Sequence, residues 1–319
     1  MTRPAQSIEL AAQMPAGEAL RRICRQQLEA IEAHLPGTRQ GRDAEELHDL
    51  RVAVRRTRSA LGEFRKIFPD QQLWQFRGEF RWLGEVTGPV RDLDVYLEHL
   101  PAYRVLLPAE AAGVLEPFRG FLLSHRRTER RRLLRRLASL RLARLLADWQ
   151  RFLVGADGGA WPDSAGRPVG EMARRHIWKL YRRFLHQGTA IGDHAPDQAL
   201  HHLRITGKKL RYLVEFFRTL YPPAEIDLLL KAMKGIQDFL GDYQDLTVQQ
   251  ERLGELARQM QAEGGAAPAT LAALEQLVNR LRHRQQRLRQ EFPERFRVFS
   301  HGRGRRGFTR LFAPLERER

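Results

Sequence analysis

Two stretches of the sequence carry a histidine followed by basic side chains at positions i+3, i+7 and i+10, which lie on one face of an α-helix. We call these sets the first and second basic stripes. The first consists of His48, Arg51, Arg55 and Arg58, continues to Arg65 and is flanked by Arg56; the second consists of His201, Arg204, Lys208 and Arg211, continues to Arg218 and is flanked by Lys209. Rows of guanidinium and ammonium groups are suited to hold phosphate oxygens, so the residues point to anion binding.

The charge pattern of the stripes favours a bound anion over a merely solvated helix face. Exposed helices usually offset a basic residue with an acid one turn away, and like charges at this spacing destabilise a helix. The first stripe contains no acidic residue, and the second has none before Glu215. Because both stretches keep this arrangement, we expect an anion to compensate the repulsion.

Three roles are open for His48 and His201. They could be structural residues in the core or at a helix end. As metal ligands they lack a second ligand at i+4, and as nucleophiles or bases they lack a neighbouring Ser or Cys. We therefore expect no metal, no cofactor and no catalytic residue, and we favour contact with a bound anion.

Further arginines are candidates to extend the site. Basic runs at 125–136 and 280–287 are too dense to share one helix face, so part of each run must be solvated. Asp92 and Asp245 could cap helices or hold stripe arginines in place. The additional candidate ligands are Arg21, Arg22, Arg126, Arg130, Arg174, Arg175 and Arg284.

The composition is that of a basic globular protein. The 319 residues include 55 Lys and Arg against 38 Asp and Glu, a net charge of +17, and 42% are hydrophobic. Such a charge attracts polyanions. Cys24 is the only cysteine, which excludes an intramolecular disulfide. No apolar run approaches the ~18 residues of a membrane span, and we expect a cytoplasmic protein without membrane contact.

Hydrophobic residues recur with a period near 3.6 almost throughout, which predicts an all-α fold. Residues 47–69 resemble residues 200–222, and this resemblance at an offset of 153 residues indicates an internal duplication. We therefore predict two four-helix bundles. The predicted domain spans 17–299, with halves 17–154 and 170–299 joined by a linker at 155–169, and a basic, poorly ordered tail follows at 300–319.

Several helix ends are predicted from Pro and Gly. Pro36-Gly37 should stop the first helix, and Asp43 should cap the second with Glu46 as its capping-box partner. Pro101 should lie in a connection, and Gly241 should break the helix that contains it.

Four motifs resemble the CHAD domain, a family named for conserved histidines and α-helical content. They are HDLRVAVRRTR at 48–58, RWLGEVTGPVRDLDV at 81–95, HHLRITGKKLRY at 201–212 and LGDYQDLTV at 240–248. The resemblance implies two bundles related by a pseudo-two-fold axis around a basic groove or pore that binds inorganic polyphosphate. It also implies association with polyphosphate granules and, by motif position, a lining of His48, Arg51, Arg55, Arg56, Arg58, His201, Arg204, Lys208, Lys209 and Arg211.

Two other functions compete with non-catalytic polyphosphate binding. Basic helices also grip the phosphates of nucleic acids, although the stripes lack the aromatic residues that usually stack on bases, and we expect only weak binding there. A phosphatase or kinase is disfavoured because the sequence has no P-loop or nucleotide motif. Some relatives carry a triphosphate-tunnel hydrolase domain, which this sequence lacks. Any hydrolysis would need a polyphosphate-metabolising protein partner.

Overall fold

A computed structural model describes residues 8–108, 113–155, 161–192, 195–264 and 266–314. The regular elements of these residues are α-helices and short 3-10 turns, which confirms the all-α prediction. The helices are α1 Ala16–Gln40, α2 Ala44–Glu63, α3 Asp70–Val86, α4 Gly88–Val105, α5 Glu116–Leu137, α6 Leu140–Val154, α7 Val169–Thr189, α8 Asp197–Phe216, α9 Pro223–Ala262, α10 Pro268–His301 and α11 Arg303–Phe312, with 3-10 turns at Asp163–Gly166 and Arg218–Leu220.

The helix bounds follow the offset of the sequence repeat. Helices α1, α2 and α3 begin 153 residues before α7, α8 and α9, and α2 and α8 have the same length of 20 residues. Just before α1 and α7, Pro15 and Pro168 form an antiparallel bridge, and they too are 153 residues apart. The duplication itself stays a prediction, and this spacing supports it.

The apolar core does not divide into one bundle for each half of the sequence. A large cluster joins α1, α2, α3 and α6 to α7, α8 and α11, and also to the first half of α9 and the end of α10. A smaller cluster joins α4 and α5 to the second half of α9 and the start of α10. Each cluster therefore draws on both halves of the chain.

Three of the predicted helix ends lie inside continuous helices. Helix α1 continues through Pro36 and is capped by Gly41, whose φ of 65° suits glycine. Pro101 likewise lies inside α4, and α9 runs unbroken through Gly241. In each case the helix packs against neighbouring helices, and this tertiary packing outweighs the low local helix propensity of Pro and Gly.

The predicted tail is also more ordered than expected. Residues 303–312 form α11, and its side chains Phe308 and Phe312 are 0% and 1% exposed. The Phe308 ring stacks on Tyr181 with centroids 4.1 Å apart, and the Phe312 ring meets Tyr221 edge-on at 4.8 Å. The segment is basic, as predicted, but it belongs to the core.

Two further expectations can be compared with the described helices. None of the described helices combines the length and the apolar character that a membrane crossing requires. Cys24 is fully buried in α1, and this burial raises the pKa of its thiol to about 12. A thiol with so high a pKa is a packing residue rather than a nucleophile.

Candidate polyanion-binding site

Helices α2 and α8 carry the two basic stripes and contact each other. Each helix buries an apolar face that fixes its rotation: Leu50 and Val54 in α2, Leu203 and Leu210 in α8. Asp43 caps α2 as predicted, since its side chain accepts a 2.9 Å hydrogen bond from the Glu45 amide. The capping-box prediction for Glu46 is wrong, because its carboxylate instead pairs with His34 at 2.8 Å.

The stripes meet where Arg55 of α2 approaches α8. The Nε of Arg55 donates a 2.9 Å hydrogen bond to the Tyr212 hydroxyl. Burial is the main cause of the lowered pKa values of Arg204 and Lys208, and the nearby charge of Arg55 lowers both further. The two helices therefore bring three stripe cations from both halves of the sequence together.

Lys208 is the most strongly perturbed cation of this group. Burial, and then the charges of Arg204 and Arg55, lower the pKa of its ammonium to about 8. Within the described residues, no carboxylate forms an ion pair with Lys208, Arg55 or Arg58. This part of the surface therefore carries positive charge that the protein does not neutralise.

Arg51 and Arg204 occupy equivalent places in the two stripes and are both partly buried. Arg51 donates to the Gly84 carbonyl oxygen at 2.9 Å and to the Thr87 hydroxyl at 3.0 Å, at the end of α3. Arg204 donates to Asp245 at 3.4 Å, while its Nε is buried without a hydrogen-bond partner. Burial lowers the pKa of both guanidinium groups. Neither residue is a freely solvated side chain.

Asp92 and Asp245 interact with stripe arginines, which is one of the two roles expected for them. Asp245 makes the ion pair with Arg204, and its equivalent Asp92 interacts electrostatically with Arg51. Burial raises the pKa of Asp92, and Arg51 opposes that rise. Both aspartates thus lie beside the stripe arginine of their own half.

The two histidines have different neighbours. Nδ1 of His201 lies 2.7 Å from the Gln244 side-chain oxygen. For His48, burial lowers the imidazole pKa and the charge of Arg91 lowers it further, so this ring is mostly neutral near pH 7. The described residues hold no group of three potential metal ligands. A neutral His48 can donate to an anion, and it gains charge only in acid.

Three stripe cations are already paired with carboxylates. The guanidinium of Arg56 contacts Glu215 across the two helices, and Arg211 donates to the same carboxylate at 2.6 Å. The Lys209 ammonium lies 2.8 Å from Glu63 of the other helix. The pairs of Arg56 and Lys209 could not be predicted from the sequence, because their partners lie in opposite halves of the chain. The pair of Arg211 with Glu215 is a local contact within α8.

The additional candidate arginines mostly contact other parts of the fold. Arg126 pairs with the buried Asp94, and Arg130 donates to the Arg39 carbonyl oxygen at 2.9 Å. Both contacts attach α5 to neighbouring helices. Arg21 and Arg22 pair with Glu18, Arg175 pairs with Glu171, Arg174 acts electrostatically on Tyr221, and Arg284 is exposed on α10.

Sequence reasoning missed Arg91 and Gln244 as site residues. Arg91 acts on His48 and Arg51, and its side chain is only 14% exposed, whereas Gln244 contacts His201. The sequence repeat could have indicated both residues. Arg91 and Gln244 are 153 residues apart, and they directly precede the equivalent aspartates Asp92 and Asp245. An arginine that also pairs with Glu98 therefore lies beside His48, where a neutral glutamine lies beside His201.

Two cavities lie away from the basic stripes. One of about 460 Å³ lies between α8, α9 and α10 and is lined by polar residues such as Asp197 and Gln285. Another of about 570 Å³ lies beside the start of α1 and Trp161. Neither is lined by a stripe residue.

The defining pattern of the CHAD domain matches residues 22–254. The chain belongs to the CHAD domain family. This result confirms the resemblance found in the four motifs, and it assigns the protein to a family of binding domains.

Similar sequences come from Mycobacterium tuberculosis. Uncharacterized proteins of strains H37Rv and CDC 1551 are both 32% identical over 213 residues, which is 65% of this chain and 39% of theirs. This CHAD chain thus spans about two fifths of the length of these curated relatives.

Solved structures share the fold. The crystal structure of the CHAD domain from the plant Ricinus communis has a TM-score of 0.73 and 27% identity, and the match covers 98% of this chain and 97% of that chain. PptA from Streptomyces chartreusis has a TM-score of 0.66 and 19% identity over 89% of this chain and 99% of that chain. At 19% identity the second likeness concerns the fold alone.

Proposed function

We propose that this CHAD domain binds inorganic polyphosphate, without converting it, on the surface where the two basic stripes meet. The observation that carries the proposal is the cluster of Arg55, Arg204 and Lys208 on facing helices. Their charges repel each other, and burial already lowers the pKa values of Arg204 and Lys208. An anion that joined the three groups would remove a repulsion that the free protein has to bear.

Polyphosphate fits this surface in charge and in shape. It carries about one negative charge per phosphate, and its oxygens accept the paired hydrogen bonds that guanidinium groups donate. The stripes offer cations at each helical turn, which is a suitable spacing for a linear polyanion and requires no bases to be read. Binding of this kind would also bring the protein to polyphosphate granules, and we include that association in the proposal.

The test is a competition between ligands of similar charge. The protein is titrated with labelled long-chain polyphosphate at about 0.15 M salt in the presence of single-stranded DNA, RNA or heparin. Each competitor is matched to the polyphosphate in total negative charge. We expect polyphosphate to displace the others at lower charge concentration. Equal or better binding of DNA or RNA would instead support a nucleic-acid-binding protein and reject the proposal.

A further inference from the structure

Two glutamates connect the C-terminal ends of α2 and α8. Glu63, the last residue of α2, pairs with Lys209 of α8, and Glu215, near the end of α8, pairs with Arg56 of α2. Arg56 and Lys209 are equivalent positions of the repeat, so each helix contributes one cation and one carboxylate to a reciprocal pair of contacts. Glu215 also accepts from Arg211. We call these five residues the clasp.

The carboxylates of the clasp are partly shielded from water, whereas two of its cations are more exposed. The Glu215 and Glu63 side chains are 17% and 19% exposed, and that of Arg56 is 21% exposed, against 39% for Arg211 and 42% for Lys209. Ion pairs that are partly buried are screened less by salt than exposed ones. Asp245 is different, because its side chain is 62% exposed and lies 3.4 Å from Arg204. A polyanion can therefore displace Asp245 far more readily than it can displace Glu63 or Glu215.

The clasp divides the cations of the two stripes by position. Arg56, Lys209 and Arg211 are neutralised at the C-terminal side. Toward the N-terminal ends of α2 and α8, the available cations are Arg51, Arg55, Arg204 and Lys208. Arg58 lies C-terminal to Arg56, and its guanidinium lies beside Gly84 of α3.

We propose that Glu63 and Glu215 are specificity-determining residues that end the polyphosphate-binding surface, and this inference rests on the proposed function. The two carboxylates occupy the cations that would otherwise extend the surface, and their negative charge repels a phosphate chain that passes the Arg55–Tyr212 contact. The bound chain is thereby kept on the histidine side. The reciprocal contacts also hold α2 and α8 together, which keeps the separation of the two stripes constant.

The experiment compares two double variants with the same change of net charge. In E63Q/E215Q the clasp loses both negative charges but keeps side chains of the same shape. The matched control E291Q/E294Q neutralises two glutamates on α10, which pair there with Arg295 and Arg297 away from the stripes. The affinity of each protein for long-chain polyphosphate is measured over a range of salt concentrations. Circular dichroism and thermal melting verify that the variants are folded.

We expect tighter binding and a steeper salt dependence in E63Q/E215Q. Each cation engaged by a flexible polyanion adds about 0.7 to the slope of log affinity against log salt, so the release of three cations should add up to about 2. At about 0.1 M salt, the affinity should rise about five- to tenfold. The control should keep the slope of the wild type, because it changes only the distant net charge.

The outcomes separate this inference from the proposed function. The inference alone is overturned if the wild type binds polyphosphate but E63Q/E215Q shows the same salt slope as the wild type. It is also overturned if the wild type binds and E63Q/E215Q binds more weakly. Weaker binding would mean that the glutamates orient Arg56, Lys209 and Arg211 toward the ligand. If the wild type itself does not bind polyphosphate in the same titration, the proposed function and the inference both fail.

Discussion

The rings of Phe64 and Phe217 meet edge to face, with centroids 5.5 Å apart and planes at 87°. The two residues follow α2 and α8 directly and are 153 residues apart, so equivalent positions of the repeat are in contact. The bridge between Pro15 and Pro168 follows the same pattern. In the clasp, the equivalent cations Arg56 and Lys209 each pair with a glutamate of the other helix. Contacts between equivalent residues arise where a two-fold axis passes, and they support the predicted pseudo-symmetry.

Replacing Phe64 with alanine should destabilise the protein strongly. Both Phe64 and Phe217 are fully buried, at 1% and 0% exposure, and removal of such a ring leaves a cavity between the halves. We expect Phe64→Ala to lower the free energy of unfolding by about 3–5 kcal/mol, measured by denaturant titration. Phe217→Ala should have a similar effect.

The control for this prediction is Trp74→Ala, because the Trp74 side chain is 80% exposed on α3. That change should alter stability by less than about 0.5 kcal/mol. The double variant Phe64→Ala, Phe217→Ala should cost less than the sum of the single changes, because the residues touch. Additive losses would show that the contact does not couple the halves.

Replacing Lys208 with methionine should stabilise the free protein and weaken polyphosphate binding. In the folded protein the Lys208 pKa is lowered to about 8 by burial first and then by Arg204 and Arg55. Folding therefore carries a free-energy penalty for keeping Lys208 charged, and Lys208→Met removes this penalty. After allowance for solvent screening, we expect the free energy of unfolding to rise by about 1 kcal/mol. The affinity for polyphosphate should fall.

The pH dependence of the stability of Lys208→Met checks whether removal of the lysine charge causes the gain. Below pH 8 the lysine is protonated in both the folded and the unfolded states, so the full penalty is present. Between pH 8 and 10.5, the ordinary pKa of lysine, the folded protein loses the proton first and the penalty fades. The stability gain of the variant should thus be largest below pH 8 and shrink above it. A constant gain would attribute the effect to packing.

Alanine variants should separate binding arginines from structural ones. Arg51→Ala and Arg204→Ala should each weaken polyphosphate binding by about 1–3 kcal/mol, the scale of a charge-assisted hydrogen bond. Arg126→Ala should leave affinity nearly unchanged. It should instead lower stability by about 1–3 kcal/mol, because it leaves the carboxylate of Asp94, which is 4% exposed, without its partner. Equal losses of affinity in all three would indicate diffuse attraction rather than a defined site.

The histidines should add an acid-side increase in affinity. Burial, and then Arg91, lower the pKa of His48 in the free protein, whereas a bound phosphate raises it. Proton linkage then requires tighter binding as the pH falls below about 6.5, the ordinary value for histidine. The variant His48→Gln, His201→Gln keeps hydrogen-bonding groups but cannot become charged, so its affinity should change less over this range. Identical profiles, measured with long chains that have few titrating ends, would assign both histidines a structural role.

The register of the stripes could be predicted from sequence because it depends on local geometry. A spacing of i+3, i+7 and i+10 places side chains on one face whatever surrounds the helix, and the apolar face of α2 and α8 fixes which way the stripes turn. The resemblance to the CHAD domain then identified the family. The contacts between α2 and α8 could not be predicted in this way, because Glu63 and Lys209 are far apart in the chain.

Helix ends were predicted less well than helix faces. Pro36 and Gly241 are unfavourable within an isolated helix, and local rules therefore placed ends at both. The packing that keeps α1 and α9 continuous involves residues from several other helices. The burial of Phe308 was missed for the same reason, since the basic composition of 303–312 conceals two aromatic residues one helical turn apart.

Both hydrophobic clusters contain residues from the two halves of the sequence repeat, so one half alone could not complete either cluster. A protein made of one copy of the repeat would leave exposed the apolar residues that the other copy covers here. Two such molecules could bury them by pairing, but their folding would then depend on concentration. The predicted duplication would make this pairing intramolecular, because one chain would carry both copies. Each copy could then diverge, and the difference between Arg91 and Gln244 at equivalent positions is an example.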